Sequence, residues 1–131
     1  MPSVLYPKGK AHILGLSTKA DLIADTIKAM LISSVTTPYN NTHEFVSDLV
    51  AGGIIARSAA LSSKAVTSGI FTAANYTQTA VSGSTIDSII GFKDTGADAT
   101  SVLLWWMDVT PFGPTGGDIA VTWNGSGIFA I

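Results

Sequence analysis

The sequence predicts an all-β chain: an antiparallel β-sandwich, jelly-roll-like or barrel-like, of about eight or nine short strands with one short helix. Apolar runs are short, often alternate with polar residues, and recur at roughly 8–15-residue spacing. Clusters of Gly, Pro, Asn, Asp, Ser and Thr punctuate them. At 131 residues the chain forms one domain, read as an extended N-terminal arm over residues 1–10 and a single sandwich over 11–131.

In chain order, residues 1–10 hold Pro2, Pro7 and Gly9, which argue against a helix and for an arm. Val4, Leu5 and Tyr6 in that arm need cover, on this domain or on a neighbouring subunit. Residues 11–17 read as a first strand, 18–25 as a loop and 26–34 as a strand. Residues 42–50 are the convincing helix, with Thr42 as a cap and Phe45, Val46 and Leu49 on one face. Gly52 and Gly53 end it. Strands follow over 54–61, 63–68, 70–75, 85–92 and 101–109, the last the most apolar in the chain. Ile119, Val121 and Trp123 alternate with Ala120 and Thr122, then Asn124-Gly125 makes a turn and Ile128 opens a final strand over 128–131. These two runs are expected to pair as a closing hairpin, with Ile119, Val121, Trp123 and Ile128 in the core.

Chemistry is sparse. His12 and His43 lie far apart in sequence, and the chain has no cysteine, so neither a metal site, a thiolate nor a disulfide is expected. His12 reads as an exposed strand residue and His43 as a polar contact early in the helix. Carboxylates fall at turns, where Asp serves the backbone. No G-x-S-x-G elbow or P-loop occurs, so no catalytic residue and no cofactor is expected. Net charge is −2 and the seven Lys and Arg are scattered, which argues against nucleic acid. No apolar run approaches the ~18 residues of a membrane span, and the first ten residues do not read as a signal peptide. Matches to N-x-S/T at Asn40, Asn75 and Asn124 read as turn residues rather than glycosylation sites. Apolar residues are 47% of the chain and charged residues only 12%, a balance suited to permanent contact with neighbours. Trp105 and Trp106 are consecutive on a strand and should face opposite ways. One then enters the core, and the other is covered from outside, by a neighbouring subunit or by the loop at 111–117 that carries Phe112. A sugar-binding platform is the rival use for that second ring.

Several stretches together carry a likeness. They are Asp25-Thr26-Ile27-Lys28, His43-Glu44-Phe45-Val46-Ser47-Asp48-Leu49, Phe71-Thr72-Ala73-Ala74 and Gly91-Phe92-Lys93-Asp94-Thr95-Gly96. Leu103 and Leu104 before Asp108 follow, then the ending from Gly117-Asp118 through Trp123-Asn124 to Gly127-Ile128. In that order, nearly end to end, the chain resembles a family of small virion proteins of tailed bacteriophages, encoded among the head and neck genes. It departs in its second Trp and in a short loop after Leu49. The resemblance implies a structural protein of the virion, assembled in the bacterial host cytoplasm, with no catalytic residues to carry over. Decoration or cementing of the head shell against the major capsid protein is the leading expectation. A neck or tail connector, collar or fibre-attachment role is the alternative, and a carbohydrate-binding module a second one. A homo-oligomer is expected, with interface candidates Val4, Leu5, Tyr6, Trp105, Trp106 and Phe112.

Overall fold

The computed structural model describes residues 3–16 and 19–130. Met1 and Pro2 of the expected arm, Ser17 and Thr18, and the terminal Ile131 lie outside the described residues. Along the chain come β1 (Ser3–Leu5), α1 (Pro7–Ile13), β2 (Ile27–Ile32), β3 (Ile54–Arg57), β4 (Ala65–Thr67), β5 (Ile70–Thr72), β6 (Tyr76–Gln78), β7 (Ile86–Lys93), β8 (Val102–Phe112), β9 (Ile119–Val121) and β10 (Phe129–Ala130). The fold is all-β and sandwich-like. A five-stranded antiparallel sheet in the order β1-β8-β7-β2-β3 forms one layer. Two smaller sheets, β10-β5-β4 and β6-β9, supply strands to the other side of the core.

The centre of the five-stranded sheet, β2, β7 and the first half of β8, is buried on both faces. Along β2, Ile27, Ala29 and Leu31 enter the inner core, while Met30 and Ile32 enter a second cluster on the opposite face. Period-two alternation of apolar residues with apolar residues is what a doubly covered strand requires. In β8 the phase is broken on purpose. Gly91 faces Trp105 and Phe92 faces Leu103, which leaves Leu104 as an extra residue, a β-bulge. Leu104 and Trp105 therefore both point into the inner core, and Leu103 and Trp106 into the outer cluster.

Three expectations are corrected here. Residues 3–10 are not an extended arm: Ser3–Leu5 is an edge strand paired with β8, and Pro7–Ile13 is the one α-helix among the described residues, lying where a strand was expected from residue 11. Pro7 is tolerated because it occupies the first turn, where its missing N–H would have had no partner. Gly9 belongs in this helix because a side chain there would collide with the Leu103 carbonyl.

Residues 42–50 form only one 3₁₀ turn, Val46–Asp48, instead of a helix. Phe45 is held extended by a bridge to Val102, flanked by hydrogen bonds from Val46 N to the Ser101 carbonyl and from Leu103 N to the Glu44 carbonyl, each 2.9 Å. An extended Phe45 cannot belong to a helix.

The closing hairpin does not form. β9 pairs with β6, setting Val121 opposite Tyr76, and β10 pairs with β5, setting Phe129 opposite Phe71. The turn at Asn124 exists, with Ser126 N donating to Asn124 Oδ1 at 2.8 Å, but it carries the chain from one small sheet to the other. Trp123 decides this: its backbone N–H donates to Asn75 Oδ1 and its indole to the Ala74 carbonyl, binding it to the segment beside β6.

Candidate functional site

Trp105 and Trp106 are both buried, so neither ring faces out. This corrects the reading of one of them as an interface residue or sugar platform. Trp105 lies in an aromatic cluster, its ring centroid 5.8 Å from Phe71, 5.6 Å from Phe129 and 6.2 Å from Trp123. Trp106 is covered on the other face by Tyr39, edge-on at 5.6 Å, and its indole N–H donates to Asp108 Oδ1 at 2.9 Å. The cover comes from this chain's own loop, where the sequence suggested a neighbour or the 111–117 loop. Tyr39 alone is a lone aromatic in a loop and carries no periodicity that would announce it.

Tyr6 is fully buried in the outer cluster and leaves the list of interface candidates. Tyr39 packs against it with tilted rings, centroids 5.2 Å apart. Burial pushes its phenol well above the usual tyrosine range, and Tyr39 adds to the effect. Leu5 is half-buried against the inner core, whereas Val4 stays exposed on the outer side of β1. Val121, Trp123 and Ile128 are buried and Ile119 is half-buried, all packed in or against the inner core.

Phe112 stands at the lip of an apolar cleft of about 160 Å³ between the five-stranded sheet and β9. Leu31, Ile89, Met107, Ile119 and Trp123 line it with Phe112. The cleft is mostly apolar and opens to solvent beside Phe112.

Charged residues are placed to tie segments together. Lys28 Nζ meets Asp94 Oδ2 at 2.6 Å, and Lys93 Nζ meets Asp25 Oδ2 at 3.2 Å. Both pairs link the two strands in which Ile27 lies opposite Lys93. Lys28 holds the Asp94 carboxyl below the usual range, helped by the Gly96 N–H. Arg57 grips Asp98 through two N–H donors at 2.7 and 2.9 Å and lowers its carboxyl likewise. His12 is buried on α1, contrary to its reading as an exposed strand residue, and its Nε2 lies 2.7 Å from Glu44 Oε2. Lys8 lies 3.9 Å from the other oxygen of Glu44. His43 follows Asn40, whose carbonyl its N–H meets at 3.1 Å, and heads no helix. Each Asn of the three N-x-S/T matches accepts a backbone N–H through its side chain: from Thr42, Trp123 and Ser126.

Among the described residues no three His, Cys, Asp or Glu gather as metal ligands, and no helix is long and apolar enough to cross a membrane. Large apolar side chains do reach solvent on turns and loops: Leu14, Leu16 and Ile23 after α1, and Val35 and Val50, with Val35 90% and Leu14 71% exposed. No family model matches the chain, and no curated protein matches it.

Proposed function

We propose that this chain is a structural protein of a tailed-bacteriophage virion, decorating or cementing the head shell by contacts with the major capsid protein. It acts by surface burial, with no catalytic step and no cofactor. The observation that carries this reading is where the resembling residues go. Asp25 and Lys28 of one quoted stretch are ion-paired to Lys93 and Asp94 of another. In the third, Phe45 bridges to Val102, Glu44 meets His12, and Asp48 accepts the N–H groups of Glu44 and Phe45. Several of the residues that carry the likeness are therefore fastenings of the fold rather than members of a reactive site. Contact surface remains in the exposed Leu14, Leu16, Ile23, Val35 and Val50, on a chain with few charges, several of them paired.

The neck or tail role differs from shell decoration in copy number. Quantitative mass spectrometry of purified particles, followed by electron cryo-microscopy, tests the proposal. Hundreds of copies spread over the shell are expected; about a dozen or fewer, at one vertex, would favour the connector. A particle lacking the chain would overturn both.

A further inference from the structure

We infer that Asn124 is a site of spontaneous covalent modification, where the side-chain amide closes on the Gly125 nitrogen and the residue converts with time to isoaspartate or aspartate. Asn124, Gly125 and Ser126 are all exposed, in the turn between β9 and β10. The Ser126 N–H donates to Asn124 Oδ1 at 2.8 Å, and the Gly127 N–H donates to the Asn124 carbonyl at 2.9 Å. The first bond closes a small ring of atoms that contains both the Asn124 side-chain carbonyl carbon and the Gly125 nitrogen. The two atoms that must join are thereby confined close to each other. The same Ser126 N–H points at the oxygen on which negative charge develops during attack, as a donor of an oxyanion hole does. Among the described residues the Gly125 N–H meets no acceptor, and no atom beyond its chain neighbours lies within 4 Å of the place a Cβ would occupy. Solvent therefore reaches the proton that must be lost.

The reaction needs only water. The Gly125 nitrogen gives its proton to solvent base and attacks Asn124 Cγ. The Cγ–Nδ2 bond breaks, and the nitrogen leaves as ammonia with a proton from solvent, which makes a succinimide ring. Water then opens the ring in one of two ways. Cleavage of the new Cγ–N bond leaves aspartate, and cleavage of the original peptide C–N bond leaves isoaspartate, with the main chain running through Cβ. No group is oxidised or reduced, and either product carries one more negative charge than asparagine. Isoaspartate also lengthens the backbone between Trp123 and Ile128, both buried.

The other asparagines are comparisons within the same chain. Asn40 makes the same side-chain turn, its Oδ1 accepting the Thr42 N–H at 2.9 Å, but its successor is Asn41, whose side chain crowds the attack. Asn41 is followed by Thr42, whose N–H is already given to Asn40. Asn75 accepts the Trp123 N–H, and its successor Tyr76 is bulky and sits in β6 opposite Val121. Asn124 alone combines such a turn with a following glycine.

The test holds the purified chain at about pH 8, where solvent base is abundant, and follows each asparagine by peptide-mapping mass spectrometry, with isoaspartate labelled by an isoaspartyl methyltransferase. Asn124 is expected to convert at least about tenfold faster than Asn40, Asn41 or Asn75. Gly125 has open space and no left-handed φ, so Gly125→Ala should fold with unchanged circular dichroism and slow the conversion at least about tenfold. A free peptide of residues 122–128 keeps the sequence and loses the fold, and the folded chain should react at least as fast as that peptide. Conversion spread evenly over the asparagines, a Gly125→Ala rate equal to that of the unaltered chain, or a folded chain slower than the peptide would overturn the inference. No particle is needed, so this result stands or falls separately from the virion reading.

Discussion

At Gly91 a side chain would enter the Trp105 ring, which lies directly across the strand pair and fills the place of the missing Cβ. Gly91→Ala is therefore expected to destabilise the domain by about 1–3 kcal/mol through overpacking, read from urea unfolding. Combining it with Trp105→Leu should give less than the sum of the two single losses, because the smaller side chain makes room for the methyl. Trp123 is the second sensitive position. Its ring is buried and its indole N–H is bonded to the Ala74 carbonyl, so Trp123→Ala should cost about 3–5 kcal/mol. A variant whose urea midpoint hardly moves would mean that the ring is peripheral. Trp123 was legible as a core residue from alternation alone. The cover of Trp106 by Tyr39 was not, because it depends on where a loop returns.

Deleting residues 1–10 removes β1, the buried Tyr6 and half of α1 together. Scanning calorimetry should show a fall in melting temperature of more than about 10 °C, since the β1–β8 pairing is lost together with the apolar area that the Tyr6 ring buries in the outer cluster. A change of only a few degrees would mean that this segment adds little to the domain. Truncation after Gly127 takes away Phe129, which stacks on Phe71 at 5.3 Å, and the Ile128 N–H bonded to the Phe71 carbonyl. It uncovers β5, and loss of cooperative near-UV signal with aggregation is the expected outcome. The central strands were readable because each is long and apolar enough for its own pattern to outweigh its surroundings, as in β7 and β8. α1 was hidden by Pro7 and Gly9, both unfavourable in a helix interior, yet one sits in its first turn and the other is required by a close approach. The pairing of β9 with β6 and of β10 with β5 was hidden for a different reason. An Asn-Gly turn favours a hairpin locally, and the bonds from Trp123 to Asn75 and Ala74 overrode it.

Four aspartates, Asp21, Asp48, Asp94 and Asp98, have carboxyls held below their usual range. For Asp21 the leading cause is the N–H groups of Ala24 and Ile23, and for Asp48 those of Phe45 and Glu44. Lys28 lowers Asp94, and Arg57 lowers Asp98. A carboxyl whose folded pKa is depressed stabilises the fold above its unfolded value and loses that contribution as pH falls through the folded pKa. The domain should therefore hold its melting temperature from neutral pH down to about 4 and lose it progressively below. Asp48→Asn should lower stability near pH 7 and flatten part of that acid limb; an unchanged limb would show that the carboxylate contributes nothing.

β1 pairs with β8, setting Leu5 opposite Trp105, about a hundred residues further along the chain. The first strand made is thus among the last to find its place. At a synthesis rate of about 5–20 residues per second, β2 waits several seconds for β7 and β8 to leave the ribosome. During that interval Ile27, Met30, Leu31 and Ile32 lack the side chains that β7 and β8 bring to both clusters. Pairings this distant also make spontaneous refolding slow, in the millisecond-to-second range typical of sandwiches. Yield in a cell is then governed by the nascent chain: slower translation, or a higher temperature during expression, should send more of it into the insoluble fraction, read by comparing soluble and pelleted protein.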